Sequence, residues 1–187
     1  AELVALLKKN PGKYNYGSPG NGTLLHMAAE RLKKVTGANL THVPYKGAAP
    51  ALQDLMGGSI EMTVDTLGGL LQHHRSGRVR ILGVATAKRL ASAPDIPTVA
   101  ESADINTPFE AQLWNVVTAP KDTPAAVLRT LAEATQSAMT DASLREALAN
   151  QSMFADLHVG QDAALRFVRA EQAKWKPVID GLGDLSK

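Results

Sequence analysis

The sequence predicts an α/β fold: right-handed βαβ units around a mainly parallel sheet. Two observations carry that reading. Short strand-like runs alternate with amphipathic helical stretches at a spacing of about twenty residues. The first four helical stretches each end at Gly or at an Asn-Pro-Gly break, the expected punctuation. No internal sequence repeat lies behind the rhythm, so the regularity is one of structure alone.

Taken in order, a first helix covers about Leu3–Lys9, with Leu3, Val4 and Leu7 on one face, and Asn10-Pro11-Gly12 stops it. A strand at Tyr14–Tyr16 enters the turn Gly17-Ser18-Pro19-Gly20-Asn21-Gly22-Thr23. A helix at about Leu24–Thr36 follows, with Leu25, Ala28, Ala29, Leu32 and Val35 as one stripe and Gly37 as its stop. A strand at Leu40–Val43 leads through Pro44-Tyr45-Lys46-Gly47 to a helix at about Ala48–Met56. The strand Ile60–Val64 leads through Asp65-Thr66 to a helix at about Leu67–Ser76. A strand at Val79–Ala85 ends at Thr86-Ala87-Lys88-Arg89.

The stretch Ser92–Pro108 is proline-rich and reads as an ordered connection. A strand at about Phe109–Thr118 comes next. Thr123 and Pro124 then fit the N-cap and first position of a helix whose core face is Val127, Leu128, Leu131, Ala134 and Ala138. Asp141 caps a further helix bearing Leu144 and Leu148. A short strand at Met153–Leu157 precedes a last helix, about Asp162–Leu182, with Leu165, Val168, Trp175 and Ile179 on its buried side and a kink at Pro177.

Composition excludes several functions. With 187 residues, 44% hydrophobic and 20% charged, the chain is globular rather than disordered. No apolar run approaches the roughly 18 residues of a membrane span. A net charge of +2 and 4% aromatic residues leave no nucleic-acid footprint, neither a basic patch nor a stacking surface. Cysteine is absent, which removes disulfides, thiolate chemistry and Cys-zinc sites. The sequence opens on Ala1 without a signal-peptide pattern, so a processed chain or a piece of a longer one is expected.

In an open α/β sheet, ligands sit beyond the carboxyl ends of the strands. Four polar segments are expected there: Gly17–Thr23, Pro44–Gly47, Asp65-Thr66 and Thr86–Arg89. The first joins a glycine turn to a helix start, where free N–H groups and the helix dipole favour an anion. It lacks both the P-loop Lys-Ser/Thr and the G-x-G-x-x-G spacing, which disfavours nucleotides. The residues alone leave open an anion loop, with Ser18 and Thr23 hydroxyls gripping a carboxylate, and a plain tight turn. Tyr45 is a candidate hydrogen-bond donor, whereas Lys46 reads as a surface turn residue. Asp65 has two readings: holding a ligand amine or hydroxyl or orienting a loop, and capping the next helix.

Catalysis finds no support. His26, His42, His73, His74 and His158 include no metal-binding pair with a carboxylate partner, so zinc is not expected. His73 and His74 fit a solvated helix face. Ser18 has no nucleophile elbow and no evident His–Asp team. Glu30 and Glu61 show no pairing suited to acid–base work. Trp114 and Trp175 read as packing residues. No cofactor is implied.

Several motifs together carry a family resemblance. They are Tyr16-Gly17-Ser18-Pro19-Gly20-Asn21-Gly22-Thr23, His42-Val43-Pro44-Tyr45-Lys46-Gly47, Leu55-Met56-Gly57-Gly58 and Pro94-Asp95-Ile96-Pro97-Thr98-Val99-Ala100-Glu101, with Trp114 and Ala119-Pro120-Lys121-Asp122-Thr123-Pro124. In order and spacing this set resembles the Bug-type solute receptors of tripartite tricarboxylate transporters, over the full chain.

The resemblance implies a periplasmic, non-catalytic receptor of the type II periplasmic-binding-protein fold, whose two α/β lobes close over a small organic carboxylate and deliver it to the membrane components of a tripartite transporter. It implies ligand-binding roles for Gly17, Ser18, Gly20, Asn21, Gly22, Thr23 and Asp65, beside which Tyr45 stands as the candidate hydrogen-bond donor read from its place beyond a strand end. Residues 1–107 match the second lobe and 108–187 the returning part of an incomplete first lobe; the half-chain that precedes these in the family is not represented. That departure predicts exposed apolar stripes on the C-terminal helices and a homodimer or exchanged assembly. It also predicts weak or absent ligand binding. Two other readings stand beside this one. One is an enzyme on a small anionic metabolite, which requires a perturbed acid–base pair beside Gly17–Thr23. The other is a truncated, non-transporting remnant held together by oligomerisation.

Overall fold

Three short parallel strands organise the N-terminal part of the chain. The computed structural model describes residues 1–106, 108–155 and 160–183. Helix α1 (Glu2–Lys9) precedes β1 (Asn15–Ser18), and α2 (Leu24–Thr36) carries the chain over to β2 (Thr41–Pro44). Helix α3 (Ala48–Gly57) returns it to β3 (Met62–Thr63), followed by α4 (Leu67–Arg75). The strand order is β2-β1-β3, all parallel, with Ser18 opposite Pro44 and Gly17 opposite both Val43 and Thr63. The βαβ rhythm is therefore that of the sequence reading.

Strand alternation decides which helix covers which face. Tyr16 is buried in one cluster with Leu7 of α1, Ala29 of α2, Ala38 and Leu40. Gly17 looks the other way, toward Ile60, the Tyr45 ring and Ala51 of α3. The amphipathic stripes of α1 and α2 thus find one face of β1 and α3 finds the other. Helix α2 stops at Gly37, which adopts φ 68°, a conformation glycine takes without steric cost.

The segment Val79–Ala85 forms no strand. Strand β3 is only two residues long and offers no ladder to extend. The segment's end turns elsewhere: Val84 N–H donates to Pro97 O and Val84 O accepts from Val99 N–H, an isolated parallel bridge to Thr98. Around that bridge Val84, Ala93 and Ile96 make a second small core with Leu67 and Leu71 of α4. The expected connection Ser92–Pro108 contains a short helix, α5 (Val99–Ala103). Its capping box is complete, with Thr98 Oγ1 accepting from Glu101 N–H and Glu101 accepting from Thr98 N–H.

The chain divides into two compact units, one of Ala1–Leu113 and Pro177–Lys187, the other of Trp114–Lys176. The second contains α6 (Ala125–Thr140), α7 (Ala142–Asn150) and most of α8 (Gln161–Leu182). Asp141 caps α7 as expected, accepting from Leu144 N–H at 2.9 Å. Trp114 meets Phe167 edge-to-face at 5.3 Å. Trp175 is buried and donates to Glu171 at 3.2 Å.

Other expectations for this half are corrected. Phe109–Thr118 is irregular, because among the described residues no strand lies beside it to complete a ladder. Helix α6 begins at Ala125 with Pro124 as N-cap, and no side chain caps it; Thr123 instead closes a turn through its N–H to Pro120 O. The core face of α6 is not buried, nor are Leu165 and Ile179 of α8. Met153–Ala155 forms no strand, and the rest of that expected strand, with His158, lies outside the described residues. Helix α8 runs on through Pro177.

Candidate functional site

Three strand ends meet at one edge of the parallel sheet, and the loop from β1 to α2 lies at their centre. Gly17 is required by close packing: a Cβ there would stand 2.6 Å from Ile60 Cδ1 and 3.1 Å from the Tyr45 ring. Ser18 is fully buried. Its Oγ lies 2.6 Å from His42 Nε2 and accepts from Gly20 N–H at 3.2 Å. Gly20 and Gly22 have φ of 145° and 73°, so the loop folds back in a way side chains resist.

Thr23 closes the loop and opens α2. Its Oγ1 donates to Gly20 O at 2.8 Å and accepts from His26 N–H at 3.3 Å. Gly22 N–H donates to His26 Nδ1 at 3.1 Å. With Gly20, Gly22 and Thr23 amides engaged internally, those of Asn21, Leu24 and Leu25 meet no acceptor among the described residues. They are the loop tip and the first two helical positions, where the dipole is positive. Asn21 itself is exposed.

The neighbouring loop is stitched to this one. Tyr45 N–H donates to Ser18 O at 2.9 Å and Gly47 N–H to Pro19 O at 3.0 Å. The Tyr45 hydroxyl, expected as a donor to ligand, donates to Asp54 at 2.7 Å; that bond is the main cause of its raised pKa. On the third strand, Thr63 Oγ1 donates to Gly17 O at 3.1 Å. Asp65 follows, accepting from Thr66 N–H at 2.6 Å, and burial raises its carboxyl pKa. The N-cap of α4 is Thr66 rather than Asp65. Thr86–Arg89 is a correction: no strand precedes it, and Arg89 pairs with Glu101 at 3.2 Å. Lys46 is exposed.

Beneath the loop lies a polar stack that sequence reasoning did not assemble. His42 stacks on His26 at 4.0 Å and on Tyr16 at 4.8 Å. The Tyr16 hydroxyl donates to Glu30 at 2.6 Å, and Lys33 Nζ reaches the same carboxylate at 2.7 Å. Glu30 therefore does have partners, as does Glu61, which accepts from Asn15 N–H at 2.8 Å. One signal was available in the sequence: His26, Glu30 and Lys33 share one helix face by their i, i+4, i+7 spacing. That Tyr16 and His42 stand opposite each other is a matter of strand register, which the structure supplies.

Burial, with help from His26, pushes the His42 pKa down to about 4, so His42 is neutral near pH 7. Two features of this stack run against nucleophilic chemistry at Ser18: its burial and the lack of a carboxylate on His42 among the described residues. Those residues also contain no group of three His, Cys, Asp or Glu side chains able to hold a metal ion.

Comparison with known proteins places this geometry in context. The family described as tripartite tricarboxylate transporter family receptor matches residues 1–184. A UPF0065 protein of Bordetella pertussis is 36% identical over 182 residues, 97% of this chain and 55% of that protein. The solved R. palustris protein Rpa4515 with adipate superposes with a TM-score of 0.85 at 30% identity, covering 96% of this chain and 59% of that one. The periplasmic binding protein BugD superposes at 0.80 with 29% identity, covering 97% and 60%. The chain thus spans little more than half the length of these relatives.

Proposed function

This chain belongs to the tripartite tricarboxylate transporter receptor family, and from that premise we propose that it captures a small organic carboxylate in the periplasm, without catalysis, for the membrane components of such a transporter. The observation that carries the reading is the β1–α2 loop. It offers the unengaged amides of Asn21, Leu24 and Leu25 at a helix start, beyond the carboxyl end of a parallel sheet. A carboxylate is the ligand such a place favours. Gly17, Ser18, Gly20, Gly22 and Thr23 shape the loop, Tyr45 braces it, and Asp65 stands at the adjacent strand end. In this reading residues 1–107 are the second lobe and 108–187 the returning part of the first.

The test is thermal shift and calorimetric titration with adipate, the acid in the R. palustris relative, beside other mono-, di- and tricarboxylates. Binding of at least one acid, abolished by Asn21→Asp, is the expected result. Asn21 is exposed, so the substitution changes the loop's charge with little effect on stability. No response to any carboxylate overturns the reading.

A second reading has its own observation. No residue of α6 or α7 is buried, and Val117 is 77% exposed. Uncovered apolar surface of this kind favours a homodimer or an exchanged assembly.

A further inference from the structure

We infer that His26 is a positioning residue of the β1–α2 loop, holding it through a neutral imidazole that acid conditions remove. The inference rests on the proposed carboxylate-binding role of that loop. Its geometry is specific. Gly22 N carries a hydrogen and lies 3.1 Å from His26 Nδ1, so Nδ1 must be the unprotonated acceptor and Nε2 bears the ring proton. The backbone of the same residue donates to Thr23 Oγ1. One bond joins His26 to the N-cap Thr23 and the other to Gly22, the residue before it, so His26 ties both sides of the helix start.

The ring cannot swing away freely. His26 is buried and lies on His42 at an interplanar angle of 11°. His42 in turn meets Ser18 Oγ, the loop's first anchor. The two histidines therefore grip the loop at both ends, Ser18 and Gly22. They differ in their response to a proton. The Ser18 hydroxyl rotates, so it accepts from a protonated His42 as readily as it donates to a neutral one. Gly22 N–H has no such freedom: a proton on His26 Nδ1 faces another proton, and the bond is lost.

The titratable and charged groups facing the pair are Glu30 and Lys33 from α2 and Tyr16 from β1. Glu30 favours charge on His26, while burial, the largest influence, and Lys33 oppose it, with a lowered pKa as the outcome. The proton thus enters below the ordinary 6.5. When it does, Gly22 is released, and the amides of Asn21, Leu24 and Leu25 lose their fixed arrangement.

The experiment uses the full 187-residue chain and follows the amide NMR shifts of Gly22 and Gly37 through a pH titration, with adipate affinity measured in parallel. Gly37 caps the far end of α2 and serves as the control for helix melting. The expected result is a Gly22 transition below pH 6.5 that Gly37 does not share, with adipate binding weakening over the same interval. His26→Asn, whose amide oxygen replaces the acceptor without titrating, abolishes the Gly22 transition and flattens the pH profile. His26→Phe keeps the stack but not the acceptor, and weakens adipate by about tenfold near neutral pH, the scale of one lost hydrogen bond. A Gly22 amide indifferent to pH, one that moves only with Gly37, or a transition that survives in His26→Asn overturns the inference. Should adipate fail to bind, the amide shifts alone decide the role of His26, and the carboxylate reading is decided by the other acids.

Discussion

At the scale of single residues, packing and hydrogen bonding around β1 set the sharpest expectations. Gly17→Ala places a methyl group against Ile60 and the Tyr45 ring. Ile60 is buried, so the clash is relieved only by shifting a packed side chain and the ring that braces the loop. A loss of about 1–3 kcal/mol is expected, read as a lower urea midpoint at unchanged slope. Tyr16→Phe tests the polar stack. It removes the hydroxyl from Glu30 while Lys33 remains, and a loss of about 1 kcal/mol is expected in the same assay. The glycines of the loop were legible in the sequence because their reason is local. The stack was not, because it requires knowing that Tyr16 and His42 stand in register and that α2 turns His26 toward them. A parallel pairing at a sequence distance of 26 residues leaves no local trace.

At the scale of elements, the long helices were legible and the caps and strands only half so: Asp141 caps α7 as expected, but Thr123 and Asp65 do not cap α6 and α4. Helix α2 shows why: its apolar stripe and its Gly37 stop both lie within its own segment, whereas Thr23, read only as a loop hydroxyl, is its N-cap. Thr23→Ala removes an acceptor from His26 N–H and a donor to Gly20 O, and about 1 kcal/mol of stability should go with it. Circular dichroism during urea unfolding measures this. Strands β1, β2 and β3 formed where partners exist. Val79–Ala85 and Phe109–Thr118 carry the same β-favouring composition but no ladder, and propensity alone makes no strand. The packing of β2 against α2 also gives the sheet a pH dependence. His42 is neutral in the folded state with its pKa near 4, against 6.5 for an unperturbed histidine. The unfolded chain therefore takes up the proton first as pH falls, so the stability that neutral His42 contributes is whole above 6.5 and lost between 6.5 and about 4. Urea midpoints measured across that interval should fall with acid, and His42→Gln should shallow the decline.

At the scale of the whole molecule, the question is what meets the apolar surface of the C-terminal helices. The periodicity of α6 was read correctly as an amphipathic stripe, yet Val127 and Leu131 are 47% and 46% exposed. Amphipathicity reports that a helix has a face to bury, not that this chain supplies the cover. Phe154 and Leu165 are exposed as well, so apolar side chains of several segments remain in water. Burying such surface is worth roughly 25 cal/mol per Å², and a second copy of the chain is a partner always present at the protein's own concentration. Sedimentation velocity over a concentration series should therefore show a dimer or larger assembly that grows with concentration. Val127→Lys with Leu131→Lys, one helical turn apart on α6, should return it to monomer without loss of helicity, since Lys keeps a high helix propensity and its charge resists desolvation. The sheet with its β1–α2 loop should be unaffected, and whatever carboxylate affinity the wild-type chain has should persist in this variant. A compact wild-type monomer at every concentration would instead mean that these side chains find cover within the chain in solution.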